Sequence, residues 1–191
     1  MMMIPREYNE VEAANMNGYG KLPAGGYVCD ILYVEATKSH KGEDMIVISV
    51  DICEGEYKDW FSHLYERSMM YSPSTAKWSN DAKYYRTIEG KGLPFFKGMI
   101  KAIEESNPNF HFNVQNGNWN EQDLKGMKIG CVFGEEKYIG NDGKPKSTVK
   151  IIKVRNINGV ENEVPPAVKD RTSQTTNGYN ARAVSDEDIP F

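Results

Sequence analysis

A mainly β domain, closed as a five-stranded Greek-key barrel with one helix between its third and fourth strands, is the fold class that this 191-residue sequence predicts. Three observations carry it. Apolar residues alternate with period two over several stretches, the period switches to that of a helix at Leu93, and Gly140-Asn141-Asp142-Gly143 separates two alternating runs as a hairpin turn would.

Residues 1–20 are polar, with Asn15, Asn17, Gly18 and Gly20, and read as a flexible arm. From the Ala24-Gly25-Gly26 turn, Tyr27 to Ala36 is rich in β-branched and aromatic residues. Met45 to Cys53 then alternates most clearly, with Ile46, Ile48, Val50 and Ile52 on one face and Val47, Ser49 and Asp51 on the other. After Glu54-Gly55-Glu56, Asp59 to Arg67 is expected as a third strand. From Leu93, Phe96, Met99, Ile100 and Ile103 recur at helical spacing, Pro94 suits a first turn, and Asn107-Pro108 closes the helix. Met127 to Ile139 and Ser147 to Ile157 are the last two strands. Three strands, a helix and two strands is the element order of the OB-fold, whose ligand lies across strands two and three between the first-second and fourth-fifth loops. The connections 69–92 and 107–122 are too long to be structureless, so ordered pieces are expected in each. The reading divides the chain into an arm (1–20), an OB-fold domain (21–157) and a polar, Pro165-Pro166-containing linker with an acidic tip (158–191), the last segment burying too little to order itself.

The net charge of −4 argues against nucleic acid only until its distribution is read. From Val160 onward, Glu161, Glu163, Asp170, Asp186, Glu187 and Asp188 outweigh Lys169, Arg171 and Arg182, which leaves a nearly neutral body with local basic patches. Cys29, Cys53 and Cys131 lie far apart in strand-like runs and read as reduced core thiols. With no apolar signal region and no run long enough to span a bilayer, the expected location is the cytoplasm.

Sequence-tolerant binding of single strands needs aromatic faces for bases and cations for phosphates. The two recur together in Lys77-Trp78 and Lys83-Tyr84-Tyr85-Arg86, before the helix, and in Lys137-Tyr138, Lys144 and Lys146, around the last hairpin. Lys128, Lys150 and Lys153 add to that hairpin, and Lys38 and Lys41 on the first-second loop face it across the groove. Trp60, Tyr27, Tyr33, Phe95 and Phe96 are expected in the core, whereas no periodicity accounts for Trp78, Tyr84 and Tyr85, which are the candidate stacking residues. Other chemistries find less support. His40, His63 and His111 have no metal-ligand spacing, so no cofactor or metal is expected. Asp51 with Glu56-Tyr57-Lys58 resembles the magnesium site of a nuclease superfamily, but the carboxylates lie too close together around the Gly55 turn.

The chain ends Asp186-Glu187-Asp188-Ile189-Pro190-Phe191, three carboxylates followed by an apolar terminus whose backbone Pro190 restricts. This tip resembles the terminal peptide of bacterial and phage single-stranded DNA-binding proteins, and the run Asp123-Leu124-Lys125-Gly126-Met127-Lys128-Ile129-Gly130 weakly resembles small phage replication proteins. The resemblance implies a non-enzymatic protein that coats single-stranded DNA during replication, recombination or repair. It also implies that the six terminal residues recruit partner enzymes. The alternatives are an accessory protein that binds mainly proteins, and the nuclease built on Asp51. Homo-oligomerisation is left open.

Overall fold

Strand β2 (Asp44–Ile52) is the strand around which the sheet is built, because both of its faces are buried from Ile46 to Ile52. The computed structural model describes residues 20–114 and 119–172. Within them β1 (Gly25–Lys38), β2, β3 (Lys83–Thr87), β4 (Lys128–Ile139) and β5 (Pro145–Arg155) form one open sheet in the order β3-β2-β1-β4-β5, each strand antiparallel to its neighbours. A two-residue strand, β6 (Lys169–Asp170), adds in parallel to β4. Helix α1 (Trp60–Tyr71) follows β2, and α2 (Leu93–Ser106) lies between β3 and β4 as the sequence predicts. No helix among the described residues is long and apolar enough to cross a membrane.

The inward face carries Ile31, Ile46, Ile48, Val50, Ile52, Ile129 and Phe133, and α2 adds Phe96, Met99, Ile100 and Ile103 from one stripe. The end of α2 is tied to the sheet by hydrogen bonds that satisfy strand backbone. Asn107 Nδ2 donates to the Lys128 carbonyl (2.8 Å), the Lys128 N–H donates back to Asn107 Oδ1 (2.9 Å), and the Ile157 N–H donates to Ser106 Oγ (3.1 Å). Thr148 of the edge strand β5 reaches the short turn that precedes β3 (Asn80–Ala82), its Oγ1 donating to Asp81 Oδ2 at 2.5 Å.

Residues 59–67 form not a third strand but the start of α1, and the third strand is Lys83–Thr87. The physical reason lies in Asp51. Its buried carboxylate reaches from β2 to accept the Phe61 N–H at Oδ1 (2.9 Å) and the Ser62 N–H at Oδ2 (2.9 Å), two of the donors that an isolated helix start leaves unpaired. Phe61, the one fully buried residue of α1, then stacks on Phe133 with centroids 5.7 Å apart.

The segment from Asn158 to Thr172, expected as part of a flexible linker, is packed along β4. Val160 is fully buried, and its carbonyl sits so close to Gly26 that a Cβ there would overlap it. Glu163 pairs with Arg155 and, at 3.4 Å, with Lys153. Pro166 lies over Gly134, and the Arg171 N–H donates to the Lys137 carbonyl at 2.9 Å. Residues 1–19 of the expected arm (1–20) and the tip both lie outside the described residues.

The three cysteines are free thiols; Cys29 and Cys131 lie in the core as expected, whereas Cys53 is half-buried. Desolvation, followed by Asp30, pushes the Cys53 thiol from 9.0 up to about 12. Desolvation, followed by Tyr57, pushes the Tyr27 hydroxyl from 10.0 to about 12.

Two predictions follow from this packing. Asp51→Ala should destabilise the protein by about 2–3 kcal/mol in chemical denaturation and accelerate amide exchange across residues 60–71, since a charged acceptor and a helix cap are lost together. Glu56→Ala and Lys58→Ala, both exposed, should stay within about 0.5 kcal/mol of wild type. The second prediction concerns alkaline pH. Both raised groups hold their protons longer in the folded chain than in the unfolded one, so their stabilisation is complete below about pH 9 and is lost as pH rises towards about 12. The urea midpoint should therefore hold steady up to about pH 9 and fall beyond it, and Cys53→Ser should delay the onset of that fall.

Candidate nucleic-acid interface

Residues directly opposite each other on neighbouring strands share a face. On the inward side of β1, β2 and β3 the rows are Val34, Ile48, Tyr84 and then Ala36, Ile46, Arg86. On the outward side they are Tyr33, Ser49, Lys83, then Glu35, Val47, Tyr85, then Thr37, Met45, Thr87. A bulge between Ile31 and Tyr33 sets this phase. It turns Tyr33, expected in the core, outward with 57% of its surface exposed.

An aromatic shelf stands on the outward face. Tyr33 meets Trp78 edge-on with centroids 6.0 Å apart, and Trp78 meets Tyr65 of α1 at 5.9 Å. The Lys125 ammonium lies 5.9 Å from the centroid of the Tyr33 ring. Lys83 and Tyr85 occupy the β3 side of the same face. Val47 and Ser49 are buried on this face although it is opposite the core, because α1 packs on β2 and the shelf covers them. The Trp78 indole Nε1 is buried and finds no acceptor among the described residues.

Of the expected stacking residues, Trp78 and Tyr85 belong to this face and Tyr84 does not. Tyr84 is buried on the inward side, its hydroxyl accepting both Nε (2.8 Å) and Nη2 of Arg86. Arg86 is itself buried, its guanidinium 4.5 Å from the Tyr84 centroid and 5.3 Å from that of Phe95, with no ion pair among the described residues. This pair pins β3 to the start of α2 by hydrogen bonding and cation–π attraction. The desolvated Tyr84 hydroxyl is held above its ordinary range despite the Arg86 charge. A residue buried this deeply presents no face to a base.

The expected cations divide in two. Lys38 pairs with Asp44 (2.6 Å), Lys128 with Glu54 (2.6 Å), Lys146 with Asp142 (3.2 Å), Lys150 with Glu136 (2.6 Å) and Lys153 with Glu163 (3.4 Å). Asp44 and Glu54 hold the ammonium groups of Lys38 and Lys128 above their ordinary range. Lys77, Lys83, Lys137 and Lys144 form no ion pair with a described residue, and neither does Lys125. Lys41 is exposed on the β1–β2 loop, and Tyr138 is half-buried near the tip of the β4–β5 hairpin. Tyr33, Tyr65 and Lys125 are the members that sequence reasoning missed. The bulge hides Tyr33 and the helix at residues 60–71 hides Tyr65, while nothing in its sequence neighbourhood sets Lys125 apart from the lysines around it.

Asp51, the anchor of the nuclease alternative, has its carboxylate engaged by the start of α1. Among the described residues no three His, Cys, Asp or Glu side chains are grouped as a metal site would group them.

Residues 9–96 match the family described as protein of unknown function (DUF669), a stretch just short of half the chain that runs through β1, β2, α1 and β3 to the first turn of α2. No curated protein matches the sequence.

The inward pair yields a prediction. Tyr84→Phe keeps the ring but leaves the buried Arg86 guanidinium without its acceptor, so stability should fall by about 1–3 kcal/mol in urea denaturation. An unchanged midpoint would mean that water reaches Arg86 and that the pin contributes little.

Proposed function

We propose that the protein binds single-stranded DNA across the outward face of β1, β2 and β3, coating exposed strands in replication, recombination or repair, and recruits partner enzymes through its last six residues. The observation that carries this reading is the outward shelf, where the exposed Tyr33 ring stands beside Trp78 and Tyr65 with Lys83 and Lys125 at its edges. Ring faces for bases beside cations for phosphates are what a sequence-tolerant single-strand site needs. We read the sheet as an OB-fold barrel on two grounds. The order β3-β2-β1-β4-β5 leaves β3 and β5 as the edges that such a barrel brings together, and Thr148 of β5 bonds Asp81 in the turn that leads into β3. The outward face is then the ligand face of that fold, flanked by the β1–β2 loop with Lys41 and the β4–β5 hairpin with Lys137 and Lys144. We read the role as binding rather than catalysis, since Asp51 is committed to α1.

The test is titration of labelled oligo-dT in EDTA at several salt concentrations. Contacts to four to six phosphates predict a slope of log K against log salt of about −3 to −4. Tyr33→Ala and Trp78→Ala should each weaken binding by about 1–3 kcal/mol, whereas Tyr84→Phe should leave it unchanged in variants that remain folded. Absence of oligo-dT binding at low salt would overturn the reading.

A further inference from the structure

We propose that the segment Val164-Pro165-Pro166-Ala167-Val168 is a preformed polyproline-II ligand whose receptor is the aromatic shelf of a second copy of this chain. The segment is apolar throughout and exposed throughout, Val164 to 84% and Val168 to 48%. Pro165 and Pro166 fix their own φ and keep the residue before each of them extended, and Glu163 leads into the segment with φ −66° and ψ 126°. A polyproline-II helix repeats every three residues, and so do the attachments of this ribbon to the body. Glu163 pairs with Arg155, Pro166 lies over Gly134, and Lys169 opens the ladder with Glu136. One edge is thereby taken up by the body. The other two, Val164 with Ala167 and Pro165 with Val168, face solvent on a backbone ordered in advance, which lowers the entropic cost of docking.

Polyproline-II segments dock in aromatic-lined grooves. The shelf offers such a surface, because Trp78 is inclined by 70° to Tyr33 and by 48° to Tyr65, so the rings form clefts and not one flat plane. Met69, exposed and one turn on from Tyr65, prolongs the apolar surface along α1. The charges match as well. Glu161 and Asp170, exposed on either side of the ribbon, have no cation partner among the described residues, and Lys83 and Lys125 at the shelf have no acid partner there. Fastened to β4 and β5 at 163, 166 and 169, the ribbon cannot move to the shelf of its own chain. A second copy supplies the shelf. It covers the rings that the single-strand reading gives to bases, yet the contact itself does not depend on that reading.

Sedimentation velocity on the full chain, without DNA, tests this. The wild type should self-associate weakly, its average mass rising with concentration on the order of 10–100 µM, as suits a contact smaller than a standard interface. Val164→Lys and Tyr33→Ala, both at exposed positions, should each stay monomeric. Their equimolar mixture should form dimers, because the Tyr33→Ala chain keeps an intact ribbon and the Val164→Lys chain an intact shelf. A wild type that stays monomeric overturns the proposal and leaves the ribbon to an aromatic groove on another protein. Self-association that either variant leaves unchanged overturns it too, as does a mixture that stays monomeric. Oligo-dT is absent throughout, so failure of the single-strand reading does not alter these outcomes.

Discussion

Asp51 decides what becomes of the outward face of the sheet. A strand in a small sheet usually turns one face to water, yet Val47, Ser49 and Asp51 are buried on the side of β2 opposite the core. A carboxylate there is tolerable only if its oxygens are satisfied, and two N–H groups at the start of α1 satisfy them. That fixes where the helix begins and how it leaves the sheet. From there α1 places Tyr65 against Trp78, which in turn meets Tyr33. The aromatic shelf is thus a consequence of one buried acid, and Asp51, which the sequence offers as a metal ligand, acts by positioning a helix.

The inward pattern was legible where period two is undisturbed. Ile46, Ile48, Val50 and Ile52 face the core as their alternation requires, and α2 spans the residues that its helical spacing marks. The misses have specific causes. Residues 60–67 put Trp60, Phe61, Leu64 and Tyr65 on adjoining helix positions, but the mixture also satisfies a loose alternation, and the partner that decides between them, Asp51, is ten residues upstream of Phe61. The real third strand is five residues long and turns Arg86 inward, so its polarity reads as surface. No propensity marks the β1 bulge, which exchanges the faces of everything beyond Leu32. One extra residue moved Tyr33 from the expected core to the candidate site.

The chain beyond β5 makes the same point from composition. Residues 158–172 are polar and contain two prolines, which is why they read as linker. They are held by a few well-placed contacts: Val160 fully buried against Gly26, Glu163 between two cations, and a two-residue ladder along β4. β1 pairs with β4 only as far as Phe133, which leaves backbone beyond it unpaired on that edge. β6 takes up part of this edge at Glu136 and Lys137. An average over composition cannot register an unmet hydrogen-bonding edge elsewhere in the fold.

The same accounting ranks the lysines that counting alone treats as equals. Lys38, Lys128, Lys146 and Lys153 sit in solvated pairs with acids, which water screens and which contribute little to stability. A phosphate that arrives can replace the acid at little cost, because the released carboxylate returns to water. Lys150 is different. Its partner Glu136 is buried to 6% exposure and is also approached by Arg171 at 3.6 Å, so drawing Lys150 away would leave a desolvated carboxylate short of one cation. Lys150 therefore belongs to the clasp that holds residues 169–171 on β4. For the proposed single-strand site, the cations without an acid partner among the described residues are Lys83, Lys125, Lys137 and Lys144, at the shelf and the hairpin tip, with the exposed pairs as a reserve.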